Sequence, residues 1–281
     1  MKKILVCVAL MATGFFGVAQ VGVGTTNPHA SAVLDVESTT KGFLPPRMTQ
    51  AQINSIVNPA EGLLVYCLDC TIKDLYVNDG TGFVSLTFGG AIYLTTVVDV
   101  AGQNGTVWMD RNLGAKQVAT SRSDAAAYGD LYQWGRRADG HQIRNSATTT
   151  GQLNFGSQSS KFVLSSNDWL SASDDTLWQA GKNDPCPTGY RIPTETELDA
   201  ERTSFATNNA EGAYGSALKL TLAGYREGTN GELDSEGSYG GYWSYTHSGS
   251  NPSMLSFNNY NVRIGTGYRS EGYSVRCIKI K

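Results

Sequence analysis

The sequence predicts a two-part chain of strands and turns: a small β-rich module over residues 20–90, then one larger domain over 91–281. Three observations carry this reading. Only 17% of the 281 residues are charged and 32 are Gly, a balance that favours strands and turns over long surface helices. Asn78-Asp79-Gly80-Thr81-Gly82 separates two short runs of β-formers, which marks a hairpin. Pro193-Thr194-x-x-Glu197 is a capping box, with Thr194 bonding an early helix N–H and Glu197 reaching back to the chain before it.

Residues 1–19 read as a signal peptide. Lys2-Lys3 begin it, Ile4–Val18 is an apolar run too short for a spanning helix, and Gly17-Val18-Ala19 offers small residues to a peptidase. Cys7 lies inside the apolar run, and the leader is expected to be removed rather than lipidated. No later run approaches 18 apolar residues, so no membrane span is expected. Export to the cell exterior or outer surface follows as the expected localisation. The net charge of −3 and the lack of any long basic run argue against a nucleic-acid partner.

In the module, Val21–Pro28 is turn-rich and Ala32–Val36 alternates as a strand. Gly42–Arg47 must run extended because each proline restricts the residue before it. Thr49 caps a short helix through Val57, with Ile53, Ile56 and Val57 inward. Gly62–Tyr66 is a strand, Leu75–Val77 and Phe83–Leu86 form the hairpin, and Gly89-Gly90 is the boundary. The pair Gly22-x-Gly24 is too short for a nucleotide loop and reads as a turn.

In the larger domain, Leu94–Val100 and Thr106–Met109 are candidate strands. Asp124–Gln133 is a helix or tight loop, and Asn145–Lys161 an exposed polar insertion. The capped helix runs from Thr194 to about Ala206. Strands follow at Ala217–Tyr225, Gly241–Tyr245, Met254–Phe257 and Tyr273–Ile280.

Without the leader, four cysteines remain: Cys67, Cys70, Cys186 and Cys277. In an exported chain these are read as disulfides. Three connectivities are open, and Cys67–Cys70 with Cys186–Cys277 is favoured because each bridge then stays within one part. Cys67-Leu68-Asp69-Cys70 also has redox spacing, but lacks the following helix that lowers a thiol pKa. Zinc would need further ligands, and the chain has only His29, His141 and His247. No metal and no cofactor is expected.

Val23-Gly24-Thr25-Thr26-Asn27-Pro28, Lys41–Met48 and Leu75–Gly80 resemble a module common at the start of exported proteins of Bacteroidetes-type bacteria and in tail-fibre-like proteins. The resemblance implies a spacer or mount, sometimes homo-oligomeric. Further on, six motifs stand in order: Val107–Gly114, Gly129–Gly135, Asp184–Glu197, Ala223–Arg226, Gly241–Ser244 and Gly272–Cys277. Together they resemble the Fibrobacter succinogenes major paralogous domain. That family is similar to the C-type-lectin-like fold in its formylglycine-generating-enzyme branch. The resemblance implies an α+β fold with a twisted, mostly antiparallel sheet and one or two helices.

The motif residues have a structural reading of their own. Trp108, Trp134, Tyr190 and Trp243 bury well where the polar tip finds a partner. Arg191 and Arg276 are expected to hold carboxylates such as Asp110, Asp130 or Glu197 in bidentate pairs.

Ser238–Ser274 carries the candidate binding face. Its 37 residues include 8 Ser, 6 Tyr, 6 Gly and 4 Asn, the mixture used by antigen-combining loops. With Leu255 and Phe257 inward, alternation sends Met254, Ser256 and Asn258 outward. Tyr245, His247, Asn251, Ser253, Asn258, Asn259, Tyr260, Asn261, Arg263 and Tyr268 are then expected to form one exposed contact patch. The position and composition also resemble the targets of diversity-generating retroelements, which implies a variable face.

Catalysis finds little support in the residues. No thiol neighbours a His base, no Gly-x-Ser-x-Gly elbow occurs, and Asp174-Asp175 and Glu195/Glu197 read as solvated or capping groups. Calcium-dependent sugar binding needs several carboxylates, whereas Asn251-Pro252-Ser253 lacks the acidic ligand and Asn167-Asp168-Trp169 has the wrong order. The leading expectation is a non-catalytic, secreted or surface-displayed binding protein that recognises a protein or glycan. A structural surface or matrix component without a dedicated ligand is the second reading, and an enzyme related to the formylglycine-generating branch the third.

Overall fold

The computed structural model describes residues 20–281 apart from 71–73, 81, 87–97, 158, 188 and 250. The leader, the Gly89-Gly90 boundary and the start of the Leu94–Val100 strand lie outside the described residues. The chain divides into two compact units, Met1–Pro45 and Pro46–Lys281.

In the first unit, β1 (Val21–Val23) pairs in parallel with β2 (Leu34–Val36). The intervening turn needs Gly24, which has φ +81° and lies against the Glu37 carbonyl where any Cβ would overlap.

The second unit begins with β3 (Arg47–Met48), α1 (Gln50–Asn54), β4 (Leu64–Cys67), β5 (Leu75–Asn78) and β6 (Phe83–Ser85). These strands form one sheet in the order β3-β4-β5-β6, with only the β3–β4 pair parallel. The hairpin falls where Asn78–Gly82 places it. Thr49 caps α1 reciprocally with Gln52. The helix is shorter than expected: it stops at Ser55, so Ile53 is buried while Val57 is 84% exposed. Ile53, Val65, Cys67, Cys70, Tyr76 and Phe83 close a small core over this sheet.

The remainder runs β7 (Asp99–Ala101), β8 (Val107–Met109), β9 (Tyr132–Gln133), β10 (Thr148–Thr150), β11 (Phe162–Leu164), β12 (Tyr190–Arg191), α2 (Glu195–Thr203), α3 (Ala210–Gly215), β13 (Tyr225–Arg226), β14 (Leu233–Asp234), β15 (Tyr239–Ser248), β16 (Asn251–Asn258), β17 (Val262–Thr266), β18 (Gly272–Tyr273) and β19 (Ile278–Lys279). Three sheets result, ordered β12-β19-β8-β7, β14-β13-β18-β9 and β15-β16-β17, beside the parallel pair β10–β11.

This architecture corrects the expected fold class. Among the described residues the protein is mostly β and 12% helical, its small antiparallel sheets arranged like a four-bladed β-propeller, not as a C-type-lectin-like α+β domain. The physical reason lies in what the six motifs encode. They fix turns and buried polar clamps, which are local, and leave open which strands share a sheet.

Other expectations need narrower corrections. Asp124–Gln133 contains a 3-10 turn at Ala125–Ala127 and then β9. Ala217–Tyr225 is not a strand until Tyr225. Leu218, Leu220 and Leu222 alternate and are all buried, but Lys219 takes φ +48° and breaks the extended run. Asn145–Lys161 is largely exposed as expected, although it contributes β10.

Two cores flank β16, the middle strand of its sheet. Leu255 and Phe257 pack with Trp108, Leu198, Leu222 and Tyr242. Met254 packs instead with Trp134, Trp178, Trp243 and the Cys186–Cys277 bridge.

Candidate functional site

The cysteines pair as favoured, Cys67 with Cys70 and Cys186 with Cys277. Bridging consumes the two sulfurs of the Cys67-Asp69-Cys70 group, the one set of three clustered metal-ligand side chains among the described residues. It also leaves no free thiol on these four residues for an activated-thiol mechanism.

The large buried aromatics serve the frame through their polar tips. Trp134 Nε1 donates to Ser244 O at 2.8 Å, Trp243 Nε1 to Tyr132 O at 2.7 Å, and Trp169 Nε1 to Trp134 O at 2.7 Å. Trp108 Nε1 donates to Glu201 Oε1 at 2.9 Å, and the same oxygen accepts from Gln103 N at 2.6 Å. Glu201 is a buried carboxylate that sequence reading missed, since a Glu late in a polar helix reads as solvated.

The two motif arginines differ. Arg191 forks onto Glu197, with Nη1 to Oε2 at 2.9 Å and Nη2 to Oε1 at 2.6 Å. Arg276 meets no carboxylate, contrary to expectation. It is buried and donates to Asn112 Oδ1 at 2.8 and 3.1 Å, Met109 O at 3.2 Å and Leu218 O at 2.6 Å. Burial pulls its pKa down to about 10, and four carbonyl contacts hold the charge by their dipoles. Asp110 pairs instead with neighbouring Arg111 at 2.8 Å. The acidic pair Asp174-Asp175 is not merely solvated: Asp174 bonds Lys182 Nζ at 2.6 Å, and Asp175 bonds the buried Arg269.

The ten expected contact residues separate into three places and one buried position. Asn259, Tyr260 and Asn261 occupy the β16–β17 turn, and Arg263 follows on β17; all four are exposed, Tyr260 to 88%. Asn258 Oδ1 accepts from the backbone N–H of Tyr260 at 2.8 Å and of Asn261 at 3.0 Å, which locks this turn. His247 and Asn251 flank the β15–β16 turn at the opposite end of β16. Tyr268 lies at that same end, since Gly267 N bonds Pro252 O at 3.1 Å. The ends are roughly 23 Å apart at the ordinary strand rise. One continuous patch therefore does not form.

Ser253 is only 1% exposed, and Met254 and Ser256, expected to face outward, are buried as well, at 6% and 2%. The alternation along β16 holds, but both faces of the strand are covered, each by its own core. His247 is half-buried, its Nδ1 bonded with Gly249 O at 3.0 Å and its ring edge toward Trp134.

Tyr245 stands apart from both groups. It lines a cleft of about 710 Å³ together with Trp178, Asp184, Cys186, Tyr190 and Arg191. Trp178 sits at φ +65°, a strained setting for a bulky side chain that persists only where packing enforces it. Burial holds the Asp184 carboxyl up at about 6, against the bonds it accepts from the backbone of Cys186 and Ile192. Burial first, then the bond to Asp99, lifts the Tyr190 hydroxyl to about 12. A cleft walled by rings with a few fixed polar groups can seat a small polar-apolar ligand.

Comparison with known proteins supports part of the sequence reading. A family described as the phage tail like trimerisation region matches residues 22–107. No curated protein and no solved structure matches the chain. The match fits a tail-fibre-like N-terminal module and suggests a structural or binding protein that self-associates. Among the described residues, no helix is long and apolar enough to cross a membrane.

Proposed function

We propose that this is an exported, non-catalytic binding protein in which a self-associating N-terminal mount displays several copies of a C-terminal recognition domain. The ligand is a protein or glycan on another surface. Residues 91–281 are read, from their six motifs, as a member of the Fibrobacter succinogenes major paralogous family.

The observation that carries the reading is the locked turn at Asn258–Asn261. Tyr260 is 88% exposed, and its backbone is fixed by the bonds that its turn makes to Asn258 Oδ1. A Tyr on a fixed backbone has few torsions left to lose when it meets a partner. Asn259, Asn261 and Arg263 surround it with donors and acceptors. The cleft at Tyr245 is a second contact point, suited to a smaller group on the same ligand or another. A retroelement-type diversification would act most freely on the exposed turn, because Ser253, Met254 and Ser256 are built into the cores.

Self-association matters to this function. Weak single contacts become strong attachment when several are linked on one mount. The test is binding of the full chain to glycan arrays and to arrays of cell-surface proteins. Selective signals lost on Tyr260→Ala or Tyr245→Ala support the proposal. A protein that binds no spot would instead be a matrix component.

A further inference from the structure

The first unit has a conformation but no core. Among the described residues 20–45, none is buried. Val21 pairs with Leu34 and Val23 with Val36, in parallel register. Residues in direct register, and two apart along a strand, share a face. Val21, Val23, Leu34 and Val36 therefore make one continuous aliphatic face, and they are 54, 52, 54 and 44% exposed.

The other face is treated differently. There Gly22 faces Asp35 in the register. A Cβ at Gly22 would collide with the Thr25 carbonyl and touch the Pro28 ring. The Asp35 carboxylate accepts from His29 N at 2.8 Å. The chain's own turn closes this side and leaves the aliphatic side open. Parallel pairs are normally covered on both faces, and a two-stranded ladder is marginal unaided.

We infer that the Val21/Val23/Leu34/Val36 face is the self-association contact, seated against the same face of two further copies of this chain. The inference rests on reading residues 22–107 as a self-associating region and locates the contact within it. The matched region holds two candidate surfaces. The β3–β6 sheet has already covered a face with its own core, whereas none of the four aliphatic residues of the β1–β2 sheet is buried. Of the six residues in the β1–β2 register, the one charged residue, Asp35, lies on the other face, so the two strands bring no charge to the aliphatic side. A foreign partner is the less economical occupant, because the matched family's description is trimerisation and the match begins inside β1.

Sedimentation velocity of the full chain at micromolar concentration tests this. The wild type is expected at three times the monomer mass and V23D/L34D at the monomer mass, with Val57→Asp, an exposed apolar site off this sheet, unchanged. All five tryptophans lie between residues 108 and 243, so their near-UV signal reports whether the rest of the variant stays folded. Independently, oxidised Val23→Cys is expected to give a covalent dimer on a non-reducing gel. V23D/L34D remaining at the wild-type mass, or Val23→Cys failing to cross-link in a trimeric sample, would overturn the inference while leaving self-association intact. A wild type that is monomeric at every concentration would overturn both and leave the face to a foreign partner.

Discussion

Arg191 and Glu197 meet through two parallel hydrogen bonds, 2.9 and 2.6 Å long, while Glu197 also accepts from Thr194 N at 2.8 Å. One carboxylate thus caps α2 and ties that helix to β12, at the wall of the cleft. Burial alone would raise the Glu197 pKa; Arg191 and Thr194 outweigh it and hold the group below its ordinary value. The stabilisation is therefore present above the unfolded pKa and fades as pH falls through the folded one. Glu197→Ala is expected to cost about 1–2 kcal/mol at pH 7, less than a fully buried pair because both side chains are partly solvated. Urea denaturation at pH 7 and pH 3 checks both the loss and its shrinkage in acid.

Asp130 predicts the opposite pH dependence. It is buried, its Oδ2 has no hydrogen-bond partner, and burial lifts its pKa to about 8 despite Arg144 near by. The folded chain keeps this proton across a range where the unfolded chain releases it, so stability falls as pH rises from about 4 to 8. Asp130→Asn should flatten that part of the profile, with a higher denaturation midpoint than wild type at pH 8 and little difference at pH 4. Equal slopes in the two proteins would refute the assignment.

The Cys186–Cys277 bridge spans 91 residues and ties the chain just before β19 to the cleft wall. Loop-entropy arguments give about 4–5 kcal/mol for such a closure, and native bridges typically return about 2–5. The double Cys→Ser chain should lose stability in this range and expose tryptophans of the surrounding core. An unchanged melting temperature would show that packing alone closes the domain.

Glu201 supplies a fourth check. Its Oε1 accepts from Trp108 Nε1 and Gln103 N. Glu201→Ala takes this acceptor from Gln103 N and leaves the indole N–H only Thr106 Oγ1, 3.0 Å away, and should cost about 1–3 kcal/mol. Glu201→Gln, which keeps an acceptor, should cost less.

The residues explain which parts of this fold could be read in advance. Capping boxes, tight turns and hairpins are written in adjacent residues, so Thr194–Glu197 and Asn78–Gly82 declared themselves, and Arg191 found its predicted carboxylate. Sheet order was not legible. Trp108 pairs with Ile278 across the chain through a single register position, and strands of two or three residues carry no period. Arg276 was misread because a buried guanidinium can be satisfied by carbonyls, which every sequence contains. At the proposed binding face, composition singled out Ser238–Ser274 but carried no sign that its exposed residues divide between the two ends of β16. Period two along Met254–Phe257 placed Leu255 and Phe257 inward, but the second core that takes in Met254 left no local mark, so the expected outward face of the strand is buried instead. The cleft escaped notice because its walls come from β12, β15 and the Cys186 bridge, which only the folded chain brings together.

The most direct test compares wild type with Tyr260→Ala on a surface that binds the full chain, by surface plasmon resonance alongside thermal melting. Tyr260 touches no core, so the account predicts a melting temperature within about 1 °C of wild type, as for surface substitutions generally, with binding weakened at least about tenfold, the effect of a typical aromatic anchor. Undiminished binding by a correctly folded Tyr260→Ala chain would contradict it.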